Sequence, residues 1–299
     1  MTSIRTLKWP ILLVCISFLA ACGGGGTEPE DVLDGTAVSD STQDSRLRKT
    51  RNIFYNVPSP METAALLKKA GAQYNAKILN DVKNVDRYTS ASKQALNLGV
   101  YGADLSYASV FNQTQESMFY TSCSKKLADK LGVIHAFNDS TLEAMEKSMN
   151  DRDALLDIIS ETYWSMDAYL KENERENISA LMIAGGWIEG LYIATQVSLT
   201  NDAPELRQRI AEQKLSLGDL IGLIGSYEGN DGTIASVKGD LEALSALFSE
   251  VSVGGGGSTL TKEKGVAVIG GGAASATLTD AQLNAIREKA AAIRSTYIN

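Results

Sequence analysis

Three carboxylates stand where ionised groups are costly. Asp104 lies in "ALNLGVYGADLSYASVF", with Asn97, Val100, Tyr101, Tyr107, Ala108 and Phe111 at helical spacings from it. Glu189 interrupts the apolar run "LMIAGGWIEGLYIATQ", residues 181–196, and shares a helix face with Gly185, Tyr192, Ile193 and Gln196. Glu161 lies one turn from Ile158, Trp164 and Ser165. A buried carboxylate needs a donor, a cation or a proton. If the three converge, they form a ligand-binding site walled by Tyr101, Tyr107, Trp164 and Trp187, able to hold a ligand or cation. Kept apart, each is satisfied by a nearby tyrosine, indole, asparagine or glutamine, or by water. Paired carboxylates also do glycosidase work, but that depends on a distance in space that spacing along the chain does not supply. The structural role is the expected one.

Counts restrict the remaining chemistry. His135, in "LGVIHAFNDS", is the only histidine. A di-iron bundle needs a Glu-x-x-His pair from each of two helices, and zinc sites of histidine and cysteine need more of both. An oxygen-only cation site stays open. "SYEGNDGT" lacks the ligand order of an EF-hand and reads as a turn. No G-x-S-x-G elbow is present, and a serine–histidine pair would have to use His135. Cys123, in "YTSCSKKLA", reads as a small packing residue. No catalytic residue, metal or cofactor is assigned.

The elements that must position these residues are helices. Ser59, Pro60 and Glu62 open one that stops at Gly71. A long block runs from about Ser90 to Phe111, and another follows to Gly132. Ser140 with Glu143 starts a further helix. "RDALLDIISETYWSMDAYLKEN" then carries the clearest helical period, with Leu155, Ile158, Ile159, Thr162, Tyr163, Met166, Tyr169 and Leu170 on one side. The stretch from about Glu174 to Leu199 is apolar around its whole circumference. About 20 such residues can cross a bilayer, but Glu189, Thr195 and Gln196 argue for a central core helix instead. Gly186-x-x-x-Gly190 would let a neighbouring backbone approach it closely. Asp202, Pro204 and Glu205 open the next helix, and "DGTIASVKGDLEALSALFSEV" supplies another. "KEKGVAVIGGGAASATLT" suggests a hairpin over about 262–278, turning at Gly270–Gly272. Thr279 and Gln282 cap a last helix, about 279–298, with Leu283, Ile286, Ala290, Ile293 and Tyr297 on one face. The fold class is all-α, a multi-helix bundle-like single domain over 53–299 with a small β-hairpin near the C-terminus.

The first residues point to an address. Arg5 and Lys8 precede the apolar "WPILLVCISFLA", which ends in "LAAC", Leu19 to Cys22. This resembles a bacterial lipoprotein signal over 1–21, with Cys22 acylated on sulfur as the mature N-terminus. Residues 22–52, glycine followed by acidic and polar residues, read as a flexible tether. The acidic "TEPEDVLD" after the cysteine is compatible with outer-membrane or surface delivery. The net charge of −8 becomes −10 once Arg5 and Lys8 are removed with the signal, which disfavours nucleic acid as a partner. Cys15 leaves with the signal and Cys22 carries lipid, so Cys123 has no internal disulfide partner.

Four blocks, "NVPSPMETAALLKKAGAQYN", "ALNLGVYGADLSYASVFNQTQES", "DIISETYWSMDAYLKENER" and "GGWIEGLYIATQ", resemble lipoproteins of unknown function common in Bacteroidota. The resemblance covers about 53 to 299 and implies no catalytic residues. The expected function is a lipid-anchored envelope module that binds or scaffolds, with the membrane and another envelope protein or a small ligand as partners. A small-ligand or cation carrier with an aromatic-lined interior, or a carboxylate-dependent hydrolase, is the alternative.

Overall fold

Short polar side chains replace the missing backbone partners at several helix starts, and glycine or asparagine ends others. A computed structural model describes residues 60–148, 151–227, 232–253, 258–263, 266–271 and 276–299. The leader, the tether, Cys22, Ser59 and most of the turn expected in "SYEGNDGT" lie outside the described residues. The first helices are α1 (Pro60–Lys69), α2 (Ala91–Val110), α3 (Thr114–Lys130), α4 (Asp139–Lys147) and α5 (Arg152–Glu172). They are followed by α6 (Glu176–Val197), α7 (Pro204–Gly225), α8 (Gly232–Phe248) and α9 (Asp280–Ile298). Ser90 accepts the Lys93 N–H ahead of α2, and Thr279 with Gln282 makes a reciprocal capping box on α9. Asn112, at φ +57°, separates α2 from α3.

Two starts differ from expectation. The cap of α4 is Asn138, in extended backbone and accepting the Thr141 N–H, so the helix begins before Ser140. Asp202 does not cap α7; it is held by Arg207 at 2.5 Å, and Pro204 takes the first turn.

The β structure is also displaced. Strand β1 (Ser252–Val253) pairs with β4 (Ala276–Thr277), and β2 (Ser258–Glu263) pairs antiparallel with β3 (Val266–Gly271). Gly270 is opposite Thr259 and Gly271 opposite Ser258. Both glycines are therefore strand residues rather than the turn, and the chain reverses between 263 and 266. The β-branched residues of "STLTKE" supply the partner for "VAVIGG", which moves the hairpin from 262–278 to 258–271.

The fold is all-α, a bundle-like domain with α6 at its centre. Helix α6 is long and apolar enough to cross a membrane by composition, yet most of it is buried by α2, α9, α7, α5 and α1. It meets α2 backbone to backbone. A Cβ on Gly185 would stand 1.9 Å from the Leu96 carbonyl oxygen, and one on Gly99 would stand 2.0 Å from the Met182 carbonyl oxygen. No side chain fits at either place. The closest approach is thus centred at Gly185, with Gly186 more loosely against Gly99. Along α5, Leu155, Ile159, Thr162, Met166 and Leu170 are buried, and Ile158, Tyr163 and Tyr169 are half-buried, as the period predicts.

Candidate functional site

The crossing of α2 and α6 places Asp104 and Glu189 near one another in the core, both at 0% exposure. The third member comes from α9. Arg294 gives two bonds to Glu189, Nε to Oε2 at 2.6 Å and Nη2 to Oε1 at 2.8 Å. Such two-pronged pairs fix direction as well as charge. Nη2 also donates to the Ile78 carbonyl at 3.1 Å, and the guanidinium lies 4.2 Å from the Tyr192 ring centroid. Burial opposes the Arg294 charge, but the Glu189 carboxylate outweighs it and holds the group more firmly protonated than usual.

Asp104 is served differently. Its Oδ2 accepts the Asn80 backbone N–H at 3.2 Å, while Oδ1 has no hydrogen-bond donor facing it. Burial, and then the charge of Glu189, push its carboxyl well above the usual range, against the pull of Arg294 and the Asn80 N–H.

The non-helical stretch 71–90 lies over this junction. Its two 3₁₀ turns, Ala76–Ile78 and Val82–Arg87, have no apolar period of their own. Side chains from the helices pin it. Tyr107 Oη accepts the Asn75 N–H at 3.3 Å, and Tyr101 Oη donates to the Asp81 carbonyl at 3.0 Å. Asn80 Nδ2 donates to Tyr88 Oη at 3.0 Å, and Tyr88 Oη reaches the Ile298 carbonyl at 3.3 Å. Tyr101 and Tyr107 thus flank Asp104 as expected, but they fasten the stretch above it instead of lining an open interior. Burial pushes both phenols up.

Glu161 and Trp164 do not join them. Glu161 and Ser165 are exposed, and Trp164 is 43% exposed, because these positions form the solvent side of α5 next to the buried Thr162–Met166–Leu170 face. The buried carboxylate of α5 is Asp167, which the sequence reading missed although it stands one turn from the core residues Tyr163 and Leu170. Its Oδ2 accepts Lys171 Nζ at 2.5 Å and its Oδ1 accepts the hydroxyl of Ser179 on α6. Trp187 is buried, but its Nε1 donates to Ser216 Oγ on α7 at 3.0 Å, away from Glu189.

A groove of about 340 Å³ opens to solvent beside the Asp104–Glu189 junction. Lys77, Asn80, Asp81 and Val82 form one wall, and Glu116, Phe119 and Tyr120 of α3 form the other. Phe119 is 48% exposed and its neighbour Met118 49%. Tyr120 packs inward, its ring tilted against that of Tyr101 at 6.1 Å between centroids. Asn80 belongs to both places, since it lines the groove and its N–H holds Asp104.

No family model, curated protein or solved structure matches this chain. The chemistry must be read from the side chains alone. Cys123 is buried, with Sγ 3.7 Å from the Val82 carbonyl; burial above all pushes its thiol up to about 11, so it is a poor nucleophile. His135 packs with its ring 4.1 Å from that of Tyr169. Among the described residues, no group of three or more His, Cys, Asp or Glu side chains gathers as metal ligands would.

Proposed function

We propose that this chain is a cell-envelope protein, lipid-anchored through Cys22 in the outer membrane, whose helical domain binds a small ligand or an envelope partner in the Phe119 groove and does not catalyse a reaction. The observation that carries the reading is the division of labour between two places. Asp104 and Glu189 are spent on Arg294 and on pinning 71–90, with no exposed surface for a substrate to touch. The groove beside them instead presents a half-exposed aromatic ring between polar walls, a surface open to solvent against which a ligand can pack. The hydrolase alternative would have to use Asp81 and Glu116, which line the groove, because Asp104 and Glu189 are fully buried. The carrier alternative needs room inside the bundle, where Tyr101 and Tyr107 are hydrogen-bonded to backbone. The anchor rests on "LAAC" after its apolar run.

The test has two arms. The full chain carrying Cys22→Ala should leave the membrane fraction; retention without lipid in mass spectrometry would sink the anchor. That soluble form is then melted with neutral saccharides, dipeptides and divalent cations. One class should stabilise it, by about 2.7 kcal/mol at a hundredfold excess over Kd. Phe119→Ala should remove the stabilisation without changing unliganded melting. Stabilisation that survives Phe119→Ala moves the site out of the groove.

A further inference from the structure

Two buried carboxylates meet one guanidinium at the centre of this protein, and the hydrogen bonds do not close without one more hydrogen. Arg294 turns both prongs toward Glu189. Asp104 is buried close enough to Glu189 for that charge to push its carboxyl up, and two bare carboxylates have no hydrogen to share. Its Oδ1 is the orphan, fully buried and facing no donor, while Oδ2 is served by Asn80. We propose that the folded protein holds one proton on Asp104, donated through the orphan oxygen to Glu189, so that the core contains a built proton-binding site closed by Arg294. The proton turns the orphan acceptor into a donor, removes the repulsion between two anions, and leaves one buried negative charge opposite one buried positive charge.

The groups acting on this place support that count. On α2 there is Tyr101; on α6, Glu189 and Tyr192; on α9, Arg294. Tyr74 faces it from the stretch 71–90, Tyr120 and Cys123 from α3, and Tyr163 from α5. The phenols and the thiol are all pushed up by burial and stay neutral near pH 7. Arg294 is the one cation in this set, and its fork is already used.

Asp104 has its carboxyl raised on folding. The stability it contributes is therefore complete below the ordinary carboxylate range and is lost as pH rises toward its folded value. Across that window the native state carries one proton more than the unfolded chain. The folding constant should fall about tenfold per pH unit from this group alone.

The experiment measures unfolding of the full chain in detergent from pH 5 to 8, with calorimetry in buffers of different protonation enthalpy to count protons. Wild type should release about one proton more on unfolding than Asp104→Asn, whose amide can still donate to Glu189 and accept from Asn80. Glu189→Gln should remove the same proton by a different route, because Asp104 then becomes the anion that faces Arg294. Infrared spectra of the folded wild type near pH 7 should show a neutral carboxylic carbonyl that vanishes on unfolding, a readout that needs no variant. Equal proton counts for wild type and Asp104→Asn, or no such carbonyl, would overturn the proposal.

Discussion

Among the described residues carboxylates are buried at two junctions, and their cations are supplied in opposite ways. At the α5–α6 junction, Asp167 is met by Lys171, one turn further along the same helix, and by Ser179 across the interface. At the α2–α6–α9 junction, Glu189 is met by Arg294, 105 residues away in the chain. Lys171 retains contact with water, its side chain being 18% exposed, while the Arg294 side chain is 9% exposed and has carbonyl, ring and carboxylate around it. A local cation arrives with its own helix and settles one surface. A remote cation is available only when three helices and the stretch 71–90 are all in place, so it reports on the whole fold.

That contrast ranks three substitutions. Arg294→Met should do the most damage, about 3–5 kcal/mol by urea unfolding, because it leaves two carboxylates in the core without a cation. It should also free the Ile78 carbonyl, and hydrogen exchange should rise across 74–90 before it rises in α5. Lys171→Met should cost about 1.5–3 kcal/mol, the worth of a hydrogen bond to a charged group, since the Ser179 hydroxyl still serves Asp167. Its effect on exchange should stay within α5 and the start of α6. Glu161→Ala, on the exposed side of α5, should shift stability by no more than about 0.5 kcal/mol. A Lys171 variant more damaging than the Arg294 variant would erase the distinction between local and remote pairing, and a costly Glu161 variant would return that residue to the core.

Much of the helical frame was readable because period and punctuation are local. Ser90, Pro60, Gly132 and the Thr279–Gln282 box lie where the helices begin or end. The burial of Asp104 and Glu189 was also readable, since their neighbours leave no polar face. Their convergence was not, because a crossing set by Gly99 and Gly185 is a property of two segments together. Glu161 misled because half-buried Ile158 is within a turn of it, whereas the buried face of α5 runs through Thr162 and Met166. Arg294 had a signal that went unread. It follows Ala290 by four and Ile293 by one, and so belongs to the apolar face tallied for α9, where only apolar residues were counted. The cover formed by 71–90 had no such signal: it has no period, and its hydrogen bonds come from distant side chains. The hairpin was misplaced because three consecutive glycines look like a turn, although two of them pair in a strand.

The distance from Glu189 to Arg294 also sets a schedule. A ribosome adds about 5–20 residues per second, so the 105 residues between them take about 5–20 s to emerge. Throughout that interval α2 and α6 exist with their acids and without their cation. Helices can form, and glycine-lined backbones can meet, but the centre has no charge balance to settle into. Helix α9, made well after the acids, therefore acts as a latch. Until it arrives, the earlier segments remain open to whatever machinery carries or holds an unfinished chain, and once it docks, the acids, the cover and the final turn of α9 are secured in one step.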